Sequence, residues 1–238
     1  MSGSTNVCEV RVPAVVNRVT VERWREDLAR AQEGDVVVLR GDEQSFCRGL
    51  DLEHVLSATE DQRSAAVHGF ARALLELRRL PCATLAVVRG GVRGGGVGVA
   101  AACDVMVAAR SASFSLPEGL FGLMPAIVGP FIAERIGAPA LRRLTLTAAS
   151  VFGEGAVRLG LADEVSDQAQ LDGRVRKTIR ALGRTVGIAA ATKRDSGPTV
   201  SDLEAAAEQT LARLRDPAVV ERIRAFVEDG TAPWEASA

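Results

Sequence analysis

A glycine-rich loop is the first segment of this sequence whose residue types suggest chemistry. Six of the nine residues from 90 to 98 are glycine, after the strand-like run "ATLAVV" and before an alanine-rich stretch that predicts a helix from about Val97. Glycines let a ligand approach the main chain closely. The first N–H groups of a helix have no partner within it and lie at the positive end of its dipole. The pattern therefore predicts a loop that binds an oxygen atom on which negative charge develops.

A second loop of the same kind lies earlier in the chain. Residues 41–55, "GDEQSFCRGLDLEHV", follow the strand-like run "VVVLR" and lead into a helix that Asp51 is expected to cap. Two such junctions can direct N–H groups at one carbonyl oxygen from two sides. Two other interpretations of the glycine loop stay open. One is a tight turn that serves packing, and the other is a phosphate loop, although the GxGxxG and GK[ST] patterns are absent.

Five motifs occur along the chain in the order in which one enzyme family has them. They are "SFCRGLDL", "LPCATLAVVRGGVRGGGVGVAAACDVMVA", "ASFSLPEGLFGLMP", "GEGAVRLGLADEV" and "ATKR". Together they span nearly the whole chain, which resembles the crotonase superfamily of enoyl-CoA hydratases and isomerases. The resemblance implies an α/β fold with a crotonase-type spiral core of ββα turns. It also implies a C-terminal helical region that commonly builds a homotrimer or a dimer of trimers.

The resemblance assigns the oxyanion hole to backbone groups. It implies that the N–H groups of Leu50 and Gly95 bind the thioester carbonyl oxygen as it becomes an enolate, and that Gly94 and Gly96 beside them contact the substrate. Preorganised donors of this kind are worth roughly 3–4 kcal/mol each. The main chain at these positions therefore matters more than the side chains.

The acid–base residues depart from the family pattern. Hydratases of the family use two glutamates, of which one corresponds to Glu118 in "SLPEGLFG" and the other to Gly98, which has no side chain. Hydration of a straight-chain enoyl-CoA is therefore not expected. A single carboxylate can still remove a proton α to a thioester and return it to a hydroxyl that leaves from the same face. From the residues alone, a helix-capping carboxylate is the alternative for Glu118.

A narrower similarity points to a substrate. The segment "LFGLMPAIVGPFIAERIGAPALRRLTLTA", Gly98 and the chain end "IRAFVEDGTAPWEASA" are similar to the polyketide β-branching dehydratases. This similarity implies loss of water from 3-hydroxy-3-methylglutaryl-acyl carrier protein to give the 3-methylglutaconyl thioester. It implies no metal and no cofactor beyond the CoA or phosphopantetheine that carries the substrate. A generic hydratase/isomerase and a decarboxylase of the same superfamily stay open, as does a non-catalytic scaffold that only binds a thioester.

Further side chains are candidates for the substrate pocket. Arg48 and Arg93 flank the two oxyanion segments, and arginine suits either a phosphate or a distal carboxylate. His54 lies close to the first segment and is a candidate for the pocket edge, while Met124 is expected in the pocket wall. His68 lies in an amphipathic stretch, which favours helix packing over a pocket role.

Alternating elements must position these residues. Strand-like runs alternate with helical ones, among them a helix over "TVERWREDLARAQEG" with a Thr20 cap and a closing Gly34, and this alternation indicates an α/β fold. From about residue 190 the pattern is amphipathic and helical, without a strand candidate. We therefore expect a core over residues 1–189 and a C-terminal helical oligomerisation region over residues 190–238. That region would pack on the core or between subunits.

Composition bounds the protein class. The 238 residues are 47% hydrophobic, enough for one large core, and 29 basic against 30 acidic residues argue against nucleic acid or an anionic membrane as partner. Four well-separated cysteines predict reduced, mostly buried thiols and no zinc site. A secretion signal and a membrane-spanning run are not seen, so a cytoplasmic location is expected.

Overall fold

Strands and helices alternate through the computed structural model, which describes residues 6–193 and 197–232. The strands are β1 (Val7–Arg11), β2 (Val36–Arg40), β3 (Ser45–Cys47), β4 (Ala83–Val88), β5 (Gly91–Arg93), β6 (Val105–Ala109), β7 (Ser113–Ser115), β8 (Val151–Phe152) and β9 (Glu164–Ser166). The helices are α1 (Arg18–Leu28), α2 (Leu52–Ser57), α3 (Glu60–Arg79), α4 (Gly95–Ala102), α5 (Gly129–Thr147), α6 (Gly153–Leu159), α7 (Leu171–Leu182), α8 (Ala189–Lys193), α9 (Val200–Leu214) and α10 (Pro217–Asp229). Short 3₁₀ helices cover Pro117–Phe121, Gln168–Gln170 and Val186–Ile188.

Two sheets carry the predicted spiral. The first is parallel throughout, in the order β1-β2-β4-β6-β9, and its central strands are buried on both faces, as their continuous apolar runs require. The second has the order β3-β5-β7-β8, in which only β8 is antiparallel. The pairs β2/β3, β4/β5 and β6/β7 each give one strand to each sheet before the chain turns into a helix. The α/β spiral of ββα turns predicted from the sequence is therefore confirmed.

Helix α1 begins earlier than the sequence predicted. Its N-cap is Asn17, whose side chain accepts a hydrogen bond from the backbone N–H of Thr20, while the Thr20 hydroxyl accepts one from Asn17 N–H. This reciprocal pair is a capping box, so Thr20 is the third helical residue and not the cap. The helix ends at Leu28, well before Gly34.

Helix α4 begins at Gly95, two residues before the predicted start at Val97. Its residues from 96 to 102 are all buried, and an all-apolar helix of this kind belongs to the core. The N-terminus of α4 is thereby fixed beside β3 and β5 of the second sheet, where β5 ends. The glycine loop presents its backbone from this position.

The C-terminal helices pack on the core of their own chain. Helix α9 lies against α3, and α10 lies against α2 and the 3₁₀ helix Pro117–Phe121. The apolar residues buried on them are Leu203, Ala206, Ala207, Leu211, Leu214, Val219 and Ile223. The apolar face thus needs no second subunit to cover it. The amphipathic pattern is therefore no longer an argument for the predicted homotrimer or dimer of trimers, which stays a prediction. Arg194 of "ATKR" and the last six residues of the sequence lie outside the described residues.

Three further sequence features can be placed. All four cysteines are free, and Cys47, Cys82 and Cys103 are buried, as predicted. No helix in the described part of the chain combines the length and apolarity needed to cross a membrane. Across residues 6–193 and 197–232, no three His, Cys, Asp or Glu side chains come together in a group that could hold a metal ion.

Candidate active site

A largely apolar cavity lies where the two predicted loops meet. It encloses about 780 Å³ of space, part of it open to solvent. Its walls come from the loop before α2, the start of α4, the chain from 117 to 128, and helices α3 and α9. Among the described lining residues, only Arg48, Glu118 and Thr210 have polar side chains. A few polar groups in an apolar cavity are typical of a site that orients one ligand.

Two unpaired backbone N–H groups border this cavity. Val16 pairs with Leu50 as an isolated parallel bridge, in which Val16 N–H donates to Gly49 O at 2.7 Å and Asp51 N–H donates to Val16 O at 3.0 Å. These bonds leave the N–H of Leu50 on the side away from Val16. The second loop touches the first, because a Cβ on Gly49 would lie 2.9 Å from the nitrogen of Gly95. Neither Leu50 N–H nor Gly95 N–H donates to any described residue, so both can bind an oxygen atom.

The carboxylate of Glu118 lies beside these donors. It is carried by the 3₁₀ helix Pro117–Phe121, and a Cβ on Gly94 would lie only 3.1 Å from Glu118 Oε1. Gly94 has a φ of 51°, a backbone conformation that only glycine adopts easily, and its N–H donates to Ser115 O at 3.0 Å. A side chain at position 94 would therefore both strain the loop and crowd the carboxylate. An acyl group whose carbonyl oxygen binds the two N–H groups has its α carbon next to Glu118.

Burial changes the acidity of this carboxylate. Glu118 is half-buried as a residue, but its Oε2 atom is fully buried and has no hydrogen-bond partner among the described residues. Removal from water raises the pKa of Glu118 to about 7, opposed only by a hydrogen bond from its own backbone. A general base works best when its pKa is close to the operating pH. Glu118 can therefore accept a proton near neutrality and release it again.

The thiol nearest to the oxyanion loop is not a nucleophile. Cys47 is buried, and burial raises the pKa of its thiol to about 11. The thiolate is the reactive form of cysteine, so Cys47 stays protonated and unreactive near neutral pH. Glu118 is therefore the group of the site that can accept a proton from a substrate.

Val128 fills the space beside Gly98, the position that corresponds to the second glutamate of the resembling hydratases. A Cβ on Gly98 would lie 2.2 Å from Val128 Cγ1 and 2.3 Å from Val128 Cβ. Val128 is buried and also lines the cavity. No second carboxylate fits at this position while Val128 is present.

We expect Gly98→Ala to lower the free energy of unfolding by about 1–3 kcal/mol, as is usual for overpacked cores. The gain in helix propensity, about 1 kcal/mol, does not offset the contact, because carbon atoms pack at about 3.5–4.0 Å. Denaturant unfolding measures the change. Adding Val128→Ala removes Cγ1 but keeps Cβ, 2.3 Å from the added carbon, so the double variant should stay less stable than the wild type. Gly98→Ala with the wild-type unfolding midpoint would contradict this packing.

The two candidate arginines differ in their surroundings. Arg48 lines the cavity and is exposed, and its side chain makes no hydrogen bond or ion pair with another described residue. Arg93 is exposed outside the cavity lining, and its Nη1 donates to Ser115 Oγ at 2.9 Å. Met124 lines the cavity with half of its surface exposed. The structure therefore brings Arg48 and Met124 to the cavity and leaves Arg93 outside it.

Three other candidates do not line the cavity. A Cβ on Gly96 would lie 2.4 Å from the carbonyl oxygen of Cys47, so the glycine there serves close packing. His54 is on α2, where its Nε2 is buried without a hydrogen-bond partner among the described residues. His68 packs between helices as predicted, with Nε2 3.2 Å from Glu208 on α9. The predicted substrate contacts of Gly96 and His54 thus have no support in this geometry.

Helix α9 supplies a cavity residue that the sequence interpretation missed. Thr210 lines the cavity, and its hydroxyl donates to Ala206 O at 2.9 Å. The signal was present in the sequence, because residue 210 follows the buried positions 203, 206 and 207 at helical spacing. The apolar face of α9 therefore includes part of the site.

Comparisons with known proteins agree with this fold. A family model described as "Enoyl-CoA hydratase/isomerase" matches residues 18–237. The chain is 32% identical over 229 residues to the bacillaene synthase dehydratase PksH of Bacillus subtilis (strain 168), covering 92% of this chain and 88% of the relative. The crystal structure of a putative polyketide biosynthesis enoyl-CoA hydratase (pksH) from Bacillus subtilis has a TM-score of 0.80 at 26% identity, covering 96% of each chain. An enoyl-CoA hydratase from Bacillus halodurans has a TM-score of 0.84 at 23% identity, covering 94% of this chain and 98% of its own.

Proposed function

The chain belongs to the enoyl-CoA hydratase/isomerase family, whose members act on CoA or carrier-protein thioesters, and we propose that it is a dehydratase for 3-hydroxyacyl thioesters. The proposed substrate is 3-hydroxy-3-methylglutaryl-acyl carrier protein, and the product is the 3-methylglutaconyl thioester. One observation carries the proposal: a single buried carboxylate, Glu118, lies beside two unpaired N–H groups. The similarity to a dehydratase of polyketide synthesis supports this choice of reaction.

The reaction needs one base and one oxyanion hole. The N–H groups of Leu50 and Gly95 bind the thioester oxygen, and the Glu118 carboxylate removes a proton from the α carbon. The electron pair of the broken C–H bond forms an enolate, whose negative charge lies on the bound oxygen. That pair then forms the α,β double bond as the bond between the β carbon and the hydroxyl breaks. Glu118 returns its proton to the departing hydroxyl, so water leaves and the carboxylate is regenerated.

Proton return by the same carboxylate follows from the cavity lining. Of the described side chains that line it, only Arg48 and Glu118 carry ionisable groups, and arginine stays protonated in proteins. Glu118 is then the group that both takes and gives the proton. The α proton and the hydroxyl must therefore leave from the same face of the substrate.

Arg48 gives the proposal its substrate selectivity. It is the cation of the cavity lining, and a 3-hydroxy-3-methylglutaryl group ends in a carboxylate. We expect Arg48→Gln to raise KM for this substrate about tenfold, the low end of what a charge-assisted hydrogen bond contributes. Steady-state kinetics on the acylated carrier measures the change, and Arg93→Gln outside the cavity is the matched control.

The anion that Arg48 binds can be either the distal carboxylate or the phosphate of phosphopantetheine. A 3-hydroxyacyl carrier without the distal carboxylate separates the two sources. If KM for that substrate is insensitive to Arg48→Gln, the carboxylate is the ligand. Equal sensitivity with both acyl groups assigns the phosphate instead and contradicts the selectivity argument.

Mass spectrometry of the acylated carrier tests the function directly. The intact 3-hydroxy-3-methylglutaryl carrier is incubated with the protein, and loss of one water from the acyl chain is the expected result. Loss of carbon dioxide would identify a decarboxylase and contradict the proposal. An unchanged acyl chain would favour a non-catalytic thioester-binding protein.

We also propose that turnover needs no metal, nucleotide or flavin. The oxyanion hole and one carboxylate are sufficient for enolate chemistry on a thioester. Prolonged treatment with a chelator should leave the rate unchanged. A loss of turnover in protein that stays folded, reversed by adding back a divalent metal, would contradict this expectation.

A further inference from the structure

We propose that Arg213 of α9 is a positioning residue for Glu118, so that the C-terminal helices complete the active site of their own chain. The proposal rests on the proposed role of Glu118 as base and adds to it the element that holds this base in place. Arg213 does not line the cavity. It acts on the turn that carries the carboxylate, through the carbonyl oxygen of Gly122.

The catalytic turn is short and closes on itself. In the 3₁₀ helix Pro117–Phe121, the carbonyl oxygen of Glu118 accepts a hydrogen bond from Leu123 N–H at 2.9 Å, and Gly122 N–H donates to Gly119 O at 3.1 Å. The last carbonyl groups of a helix have no partner within it. Here the carbonyl oxygen of Gly122 accepts a hydrogen bond from Arg213 Nε at 2.8 Å. An arginine of α9 thus completes the end of the turn.

Arg213 is itself held in position. Its Nη1 donates to Asp216 Oδ2 at 2.9 Å, and the other oxygen of Asp216 accepts from Ala218 N–H at 2.9 Å as the N-cap of α10. The guanidinium therefore joins the end of α9, the start of α10 and the catalytic turn. Its planar fork makes these directed bonds at the same time, which the single ammonium group of lysine does less well.

Helix α10 contacts the same turn at a second point. The rings of Phe121 and Phe226 pack edge to face, with centroids 5.4 Å apart and planes at 75°. Such pairs add to the burial of their rings. Two contacts from the C-terminal helices, one polar and one aromatic, therefore hold the C-terminal end of a five-residue helix whose second residue is Glu118.

Glu118 depends on these contacts because few hydrogen bonds hold its carboxylate in place. Oε2 is buried without a partner, and the main restraint on the side chain is therefore the backbone that carries it. If the turn moves, water reaches the carboxylate and the burial that raises its pKa is reduced. Loss of Arg213 should then lower the pKa of Glu118 and displace the base from the α carbon.

Arg213→Gln tests the inference by a readout that needs no turnover. Infrared difference spectra report the neutral carboxyl group of Glu118, assigned by its absence in Glu118→Gln. We expect the pH at which this band disappears to be lower in Arg213→Gln than in the wild type. Arg224→Gln is the control, because Arg224 pairs along its own helix with Glu221 and Glu228 and should leave the band unchanged.

Kinetics on the acylated carrier give the second readout. Single-turnover rates of Arg213→Gln should fall roughly 10–100-fold, the effect of a small displacement of a catalytic group, with KM little changed. The rise of the rate with pH should move to lower pH. Arg213→Lys should recover part of the rate, because one directed bond to Gly122 remains available.

The outcomes separate this inference from the proposed function. If the wild type dehydrates no acyl carrier, the proposed function fails, and the infrared titration still decides the role of Arg213. If the titration and the rate of Arg213→Gln equal those of the wild type, the inference is overturned. Should Arg213→Gln fail to fold, Asp216→Asn removes the carboxylate that orients Arg213 and is expected to shift the titration in the same direction, and an unshifted titration there overturns the inference.

Discussion

Glu118→Gln is expected to remove nearly all turnover while the fold and substrate binding are retained. Glutamine keeps the size and one acceptor oxygen of the side chain, but it cannot take a proton from the α carbon. General-base catalysis typically contributes ~10²–10⁴-fold, and among the described residues that line the cavity the only other ionisable side chain is that of Arg48, which stays protonated and cannot act as a base. Single-turnover rates on the acylated carrier measure the loss, and a binding assay with the same carrier separates it from an effect on affinity.

Two histidine variants are the controls. His54→Ala and His68→Ala remove imidazoles that lie outside the cavity lining, so both should slow the reaction much less than Glu118→Gln. The wild-type rate should also rise with pH and reach half its maximum near pH 7, because the pKa of Glu118 is raised to about 7 and the base acts ionised. Loss of a general base usually leaves far less than a tenth of the rate. If Glu118→Gln keeps more than about a tenth of the wild-type rate, Glu118 is therefore not the base.

The oxyanion hole is the part of the site that local sequence indicated best. Each loop follows a buried strand and precedes a helix, so the role of the two loops in binding an oxygen atom follows from short-range patterns. The resemblance then supplied the donor positions Leu50 and Gly95 and the carboxylate of Glu118. Helix boundaries were less accurate, as Asn17 and not Thr20 caps α1, because both residue types are common helix caps and the two residues lie only three positions apart in the chain.

Choices that depend on side-chain direction could not be made from the sequence. Arg48 and Arg93 hold equivalent positions beside the two oxyanion segments, yet only Arg48 faces the cavity, since Arg93 is bound to Ser115 on the next strand. Val128 lies 30 residues after Gly98 in the chain, and no local pattern says that its methyl groups fill the space beside that glycine. Long-range packing decides such contacts.

The same reason applies to the C-terminal helices. Their amphipathic pattern requires a surface against which the apolar face is buried. The sequence left two such surfaces open, the core and a neighbouring subunit. In the structure these helices pack on the core, and α9 brings Thr210 to the cavity wall and Arg213 to the catalytic turn. An interpretation of these helices as an oligomerisation region alone omits their role in the site.

Gly95→Pro is expected to cost about 10²–10³-fold in single-turnover rate relative to Gly95→Ala, the usual effect of removing one oxyanion-hole donor. Position 95 is the first residue of α4, where proline is accommodated because its missing N–H has no helical partner to lose. The preceding Gly94 has φ 51° and ψ −121°, which is outside the α region that a following proline disfavours. The substitution therefore removes the donor and leaves the helix in place.

The comparison with Gly95→Ala controls for the added Cβ, so the difference reports the exchange of the N–H group for the proline ring carbon. A Cβ at position 95 would lie 3.2 Å from Phe70 Cζ and 3.4 Å from Gly49 Cα, so both variants introduce the same tight contact and require the Phe70 ring to shift slightly. Only the alanine variant still donates to the thioester oxygen. Far-UV circular dichroism should show the same helix content in both, and the carrier should bind to both, because the donor acts mainly on the charge that develops in the enolate. Equal rates for the two variants would show that Gly95 N–H does not bind that oxygen, and the oxyanion hole would then have to be placed elsewhere.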